Sequence, residues 1–140
     1  MARNDEKTLL LLEGKASVHG YSAVETSIKI GDRELSNQFR WIAGHLRNMS
    51  ALTPAERKSV RQEISKRTKE LSDVVRAKCI QYHLAPFSCV DQHDECVRKK
   101  KRQKKSTYLC DLALLICLLN SMTPLLAAIA IAAKAGHHLL

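Results

Sequence analysis

Cysteine and histidine gather in the middle of this chain. Cys79 and His83 stand four residues apart, as do Cys89 and His93, with Cys96 three residues further on. A four-residue interval puts two side chains on one face of a helix. Cys2His2 and Cys3His sets are tetrahedral zinc chemistry, which makes Cys79, His83, Cys89 and His93 the candidate metal ligands. No Cys-x-x-Cys pair accompanies them, and no standard finger spacing fits. The competing reading has no cofactor, only ordinary thiols near a helix end and exposed histidines.

The cysteine total is five: Cys79, Cys89, Cys96, Cys110 and Cys117. An odd number, with no early run long enough for a secretory signal, predicts a reducing compartment and thiols in place of a disulfide framework. Cys96 and Cys110 also suit reversible lipidation if a membrane lies beside them.

A second constellation is electrostatic. Arg98, Lys99, Lys100, Lys101, Arg102, Lys104 and Lys105 are interrupted only by Gln103. The formal net charge is +9, and most of the excess lies in this run. Such a cluster suits anionic lipid headgroups or nucleic-acid phosphates, and it also fits a nuclear-import signal. No aromatic residue is interleaved, so base stacking is not indicated. No phosphate loop, dinucleotide fingerprint or paired-carboxylate motif occurs, and nothing orders a nucleophile, base and orienting group. The expectation is a protein that is not an enzyme.

The elements that must position these residues read as helices. Leu35, Phe39, Ile42, Leu46 and Met49 recur at spacings of four and three, one face of a helix that Asp32 can cap. That stripe, Leu35, Phe39, Ile42 and Leu46, is expected to face either a protein partner or the next helix. Thr53-Pro54-Ala55-Glu56 is a capping box with proline at the first helical position. It opens a helix running to about Tyr82, with Val60, Ile64, Leu71, Val74 and Val75 as its apolar stripe and an exposed Glu63–Arg67 pair. The short link at 51–53 predicts an antiparallel hairpin.

Residues 1–31 are poorly defined. Lys7 to Glu13 suits a short helix stopped by Gly14, and the alternation of Val24, Thr26, Ile28 and Ile30 suits a strand. Residues 85–107 read as a polybasic linker containing Cys and His. From 108 to 135 the chain is hydrophobic, with eleven Leu and Ile in the stretch 108–133 and Asp111 as its single charge. Those side chains favour membrane insertion by roughly 3–7 kcal/mol. Asn120, Thr123 and Pro124 oppose it and also suit a turn between two short apolar helices.

The fold class expected is therefore all-α: a helical hairpin or small bundle over 32–84, the linker, then a hydrophobic C-terminal helix or short helical hairpin, with 136–140 as a tail. The leading functional expectation is a non-enzymatic membrane-associated interaction protein, tail-anchored with its N-terminus cytosolic, whose basic run lies on anionic lipid. The alternative is a soluble basic regulator that binds nucleic acid or enters the nucleus through 98–105, with or without zinc. A homo-oligomer is compatible with either.

Overall fold

The first helix is built on small residues. A computed structural model describes residues 2–81 and 89–134, with side chains for 5–77, 89–120 and 131. In it α1 covers Ala2–Lys29. Ala16, Gly20, Ala23 and Ser27 recur every three or four residues and form its inner line; Ala16, Ala23 and Ser27 are fully buried. A Cβ added at Gly20 would lie 2.8 Å from the Ala43 Cβ, so glycine is what lets the next helix come this close. The Ser17 hydroxyl donates to the Ala43 carbonyl at 3.0 Å across the same contact. Ser27 satisfies its own hydroxyl on the Ala23 carbonyl at 2.7 Å. The strand expected over 24–30 and the stop expected at Gly14 are therefore not formed. Tertiary packing of the small-residue line overrides the local alternation. Among the described residues there is no strand.

The turn after α1 is closed by two successive caps. Gly31, at φ +76°, takes the left-handed position that a helix end favours for glycine. The Asp32 N–H bonds to the Ser27 carbonyl at 2.9 Å, and the Gly31 N–H to Ile28 at 3.0 Å. Asp32 then caps α2, Arg33–Arg47, by accepting from the Leu35 N–H at 3.0 Å. A 3-10 turn, Met49–Ala51, leads to α3, Pro54–Gln81. The capping box closes in both directions: the Thr53 N–H reaches Glu56 Oε1 at 2.9 Å, and the Glu56 N–H reaches Thr53 Oγ1 at 3.3 Å. The Glu63–Arg67 pair forms at 3.1 Å. Arg67 also lies over the Trp41 ring, 3.9 Å from its centroid, and so ties α3 to α2.

Helix α4 spans Cys89–Arg102 and α5 spans Tyr108–Lys134. Helix α2 packs chiefly on α1, while α3 and α4 each pack chiefly on α5. The expected α2–α3 hairpin is thus replaced by a bundle in which α1 and α5 are central. Leu35, Phe39, Ile42, Leu46 and Met49 meet Ile64, Leu71 and Val75 of α3 and Leu112, Leu115 and Leu119 of α5 in one core. A second cluster joins Leu114 and Leu118 of α5 to Cys89 of α4. The polybasic linker is not a linker, since most of it belongs to α4.

The tail requires the largest correction. Among the described residues, no helix is long and apolar enough to cross a membrane. The expected membrane anchor, with the membrane localisation and N-cytosolic orientation drawn from it, is set aside. Its first half is occupied: Cys110, Asp111, Leu112, Leu114, Leu115, Leu118 and Leu119 are all buried within the bundle. Nor is there a turn at 120–124, because the α5 backbone is helical without interruption.

Candidate functional site

The basic run sits on a helix whose charge is sorted along its axis. Asp91, Asp94 and Glu95 occupy the first half of α4, and Arg98 to Arg102 the second. This order matches the helix dipole at both ends. The last turn closes with the Lys105 N–H on the Lys100 carbonyl at 2.9 Å and the Lys104 N–H on Lys101 at 3.1 Å. Lys104 takes the left-handed position at φ 55°, where glycine is the usual occupant. The chain turns sharply there, so Lys104 and Lys105 leave the helix axis while remaining beside it. Arg98, Lys99, Lys101, Arg102, Lys104 and Lys105 are exposed and Lys100 is half-buried. Among the described residues, none of the seven forms an ion pair with a carboxylate.

Two disulfides fasten this helix to α5. Cys89 is joined to Cys117, with Cα atoms 5.8 Å apart, and Cys96 to Cys110, at 5.6 Å. The reading of these four as free thiols is corrected. The partners are seven residues apart on each helix, two turns, so both links fall on one face of each in antiparallel register. That shared interval was the sequence signal for the pairing. Between the links, His93 Nε2 donates to Asp111 Oδ1 at 2.7 Å. Lys69 Nζ is 4.0 Å from the same oxygen. Asp111 is only 3 % exposed. The buried Asp111 side chain thus has the His93 ring and the Lys69 ammonium group beside it.

The proposed zinc quartet is not assembled. Cys89 is a half-cystine and His93 is held by Asp111. The Cys79 side chain and all of His83 lie outside the described residues. Among the described residues, no group of three or more His, Cys, Asp or Glu side chains could hold a metal ion. With Cys96 and Cys110 also paired, neither is a thiol for lipidation. The partner-facing stripe is occupied as well: Leu35, Phe39, Ile42 and Leu46 are at most 2 % exposed and form the chain's own core.

Sequence reasoning missed a polar network behind the basic run. Glu13 of α1 is fully buried. Arg61 of α3 grips it twice, Nε to Oε2 and Nη2 to Oε1, each at 2.9 Å. The Tyr108 hydroxyl donates to Glu13 Oε2 at 2.6 Å. Arg61 also reaches both oxygens of Glu6, at 2.8 and 3.1 Å. Burial works against the Arg61 charge, but the hydrogen bonds and charges of Glu13 and Glu6 outweigh it and hold its pKa above the ordinary arginine value. The Arg61 hydrogen bond holds the Glu6 carboxyl below its usual range. Burial, then the Glu13 charge, pushes the Tyr108 hydroxyl well above an ordinary phenol. Beside the network a cleft of about 440 Å³ is lined by Lys58, Arg61 and Lys69 from α3, by Ser106 and Thr107 just before α5, and by Tyr108 and Asp111 in its first turn. The basic run therefore ends beside a cleft that Asp111 also lines and whose cations Arg61 and Lys69 are already paired with carboxylates.

The chain matches no protein-family model, no curated protein and no solved structure, so the site stands on its own geometry.

Proposed function

We propose that this chain is a binding protein without catalytic chemistry, which holds the phosphate backbone of nucleic acid on the basic end of α4. The observation that carries the reading is the cluster Arg98 to Lys105: seven cations, six of them exposed, with no carboxylate partner among the described residues. Duplex nucleic acid presents about one negative charge per 1.7 Å of axis, a density that can engage several clustered cations at once. The two disulfides support the same reading. They hold the cluster on a rigid body, so little ordering is needed when the polyanion arrives. Beyond Lys105 the neighbouring cleft adds exposed Lys58, its other cations Arg61 and Lys69 being paired with Glu6, Glu13 and Asp111. The run has no aromatic side chain to stack on bases and is dominated by lysine, which favours contact with the backbone over reading of sequence.

The test is fluorescence anisotropy of a labelled duplex at increasing salt. If all seven cations met phosphates, log K would fall against log salt with a slope of about −6. Changing Lys99, Lys100, Lys101, Lys104 and Lys105 to Gln should reduce both affinity and slope. A salt-independent isotherm, equal binding by the neutralised variant, or binding confined to phosphatidylserine vesicles would overturn the proposal.

A further inference from the structure

The outer face of α1 carries apolar side chains that the fold leaves uncovered. Leu11 is 70 % exposed, Val18 68 %, Ile28 56 % and Tyr21 36 %. With Gly14 and Glu25 between them, they recur at spacings of three and four, so all six lie along one face. A Cβ added at Gly14 would meet nothing within 4 Å, so this face is open there. The opposite face of α1 carries the small-residue line that packs on α2; Tyr21 leans toward that side, its hydroxyl 3.7 Å from where a Cβ at Gly44 of α2 would lie, while Leu11, Val18 and Ile28 stay more than half exposed.

We infer that two copies of this chain pair antiparallel through this face. The stripe has the same chemical character read in either direction. In an antiparallel pair centred between Val18 and Tyr21, Leu11 faces Ile28 of the second copy and Val18 faces its Tyr21. Glu25 of the second copy comes opposite Gly14, the position with room for it. Lys15, exposed on the flank, comes level with that same Glu25. A two-fold axis repeats every contact, so the pair contains two Lys15–Glu25 ion pairs and two Leu11–Ile28 contacts. A self-complementary patch is what an isologous interface requires. A parallel arrangement would instead stack Lys15 on Lys15 and Glu25 on Glu25.

Sedimentation velocity on the full, oxidised chain tests this, at concentrations between about 1 and 100 µM. A monomer–dimer equilibrium is expected. Lys15→Glu should weaken it about ten-fold by replacing two attractions with two repulsions. The double exchange Lys15→Glu with Glu25→Lys should restore it. Both positions are exposed, so neither change disturbs the bundle. Orientation is read separately, by mixing a Leu11→Cys chain with an Ile28→Cys chain, both in a Cys79→Ser background. Cross-links between the two chains support the antiparallel pair; cross-links only between identical chains overturn it. A monomer throughout the range, or a dimer indifferent to the charge exchange, also overturns it.

Discussion

The Tyr108 hydroxyl lies 2.6 Å from Glu13 Oε2, a hydrogen bond between residues 95 positions apart that fastens the first turn of α5 to the middle of α1. Its acceptor is a fully buried carboxylate already held by Arg61. Tyr108→Phe keeps the ring and deletes the donor. Bonds to charged groups contribute about 1.5–3 kcal/mol, and a loss of that size is expected in urea denaturation. The pH dependence follows the direction of the phenol's shift. Its folded pKa is raised, so its contribution is complete below the unfolded value near 10 and is lost as pH rises beyond it. Wild-type stability should therefore fall above about pH 10 more steeply than that of Tyr108→Phe. Parallel pH profiles would refute the assignment.

Glu6 moves the other way. Its carboxyl is held below the ordinary value by Arg61, so its contribution is present above the unfolded pKa and disappears as pH falls through the folded one. Glu6→Gln should flatten the acid limb of the stability profile while leaving the alkaline limb unchanged. Unaltered acid sensitivity would show that Glu6 is not part of the linkage.

Gly20 predicts a packing conflict. Gly20→Ala sets a Cβ 2.8 Å from the Ala43 Cβ, and the two helices must separate. A loss of about 1–3 kcal/mol is expected by chemical denaturation. Adding Ala43→Gly should return part of it, giving a favourable coupling in a double-mutant cycle. Additive losses would mean that the two positions do not meet.

Lys104 predicts a gain. A non-glycine residue at φ 55° is strained, and glycine is not. Lys104→Gly should stabilise the chain by about 0.5–1 kcal/mol. It should also weaken nucleic-acid binding by one phosphate contact. A destabilised variant would show that the side chain of Lys104 matters to the fold more than its backbone strain does.

Reduction should loosen α4 before the rest. The inner loop closes over 14 residues and the outer over 28. Closing the first loop contributes about 3 kcal/mol, and the second adds less because the loops are nested. With reductant, hydrogen exchange should rise in α4 while α2 keeps its protection. Uniform loss of protection across both helices would contradict α4 as a separately tethered element.

What was legible in the sequence was local. The stripe Leu35, Phe39, Ile42 and Leu46, the Asp32 cap and the Thr53–Glu56 box are each decided within a few residues, and each stands where expected. Helix α1 was obscured because its inner line is Ala16, Gly20, Ala23 and Ser27, residues that carry little apolar signal although the close approach depends on them. The tail was misread for a physical reason. Its first half is buried on two sides, with Leu112, Leu115 and Leu119 toward one cluster and Leu114 and Leu118 toward another. A helix apolar all round reads alike whether lipid or protein surrounds it. The cation cluster was plain from composition. Its rigid support was not, because the cysteine pairings join two helices, and spacing alone leaves several connectivities open.

The inner cystine gives the exposed basic segment an unusual kind of continuity. Arg98 to Lys105 is a natural target for a protease that cuts after lysine or arginine, and the whole run lies inside the loop closed by Cys96 and Cys110. A cut there divides the polypeptide but leaves both pieces attached, with α4 still fastened to α5 and the new ends lying among the cations. Such a nicked molecule would migrate as a single species until the disulfides were reduced, and only then separate in two.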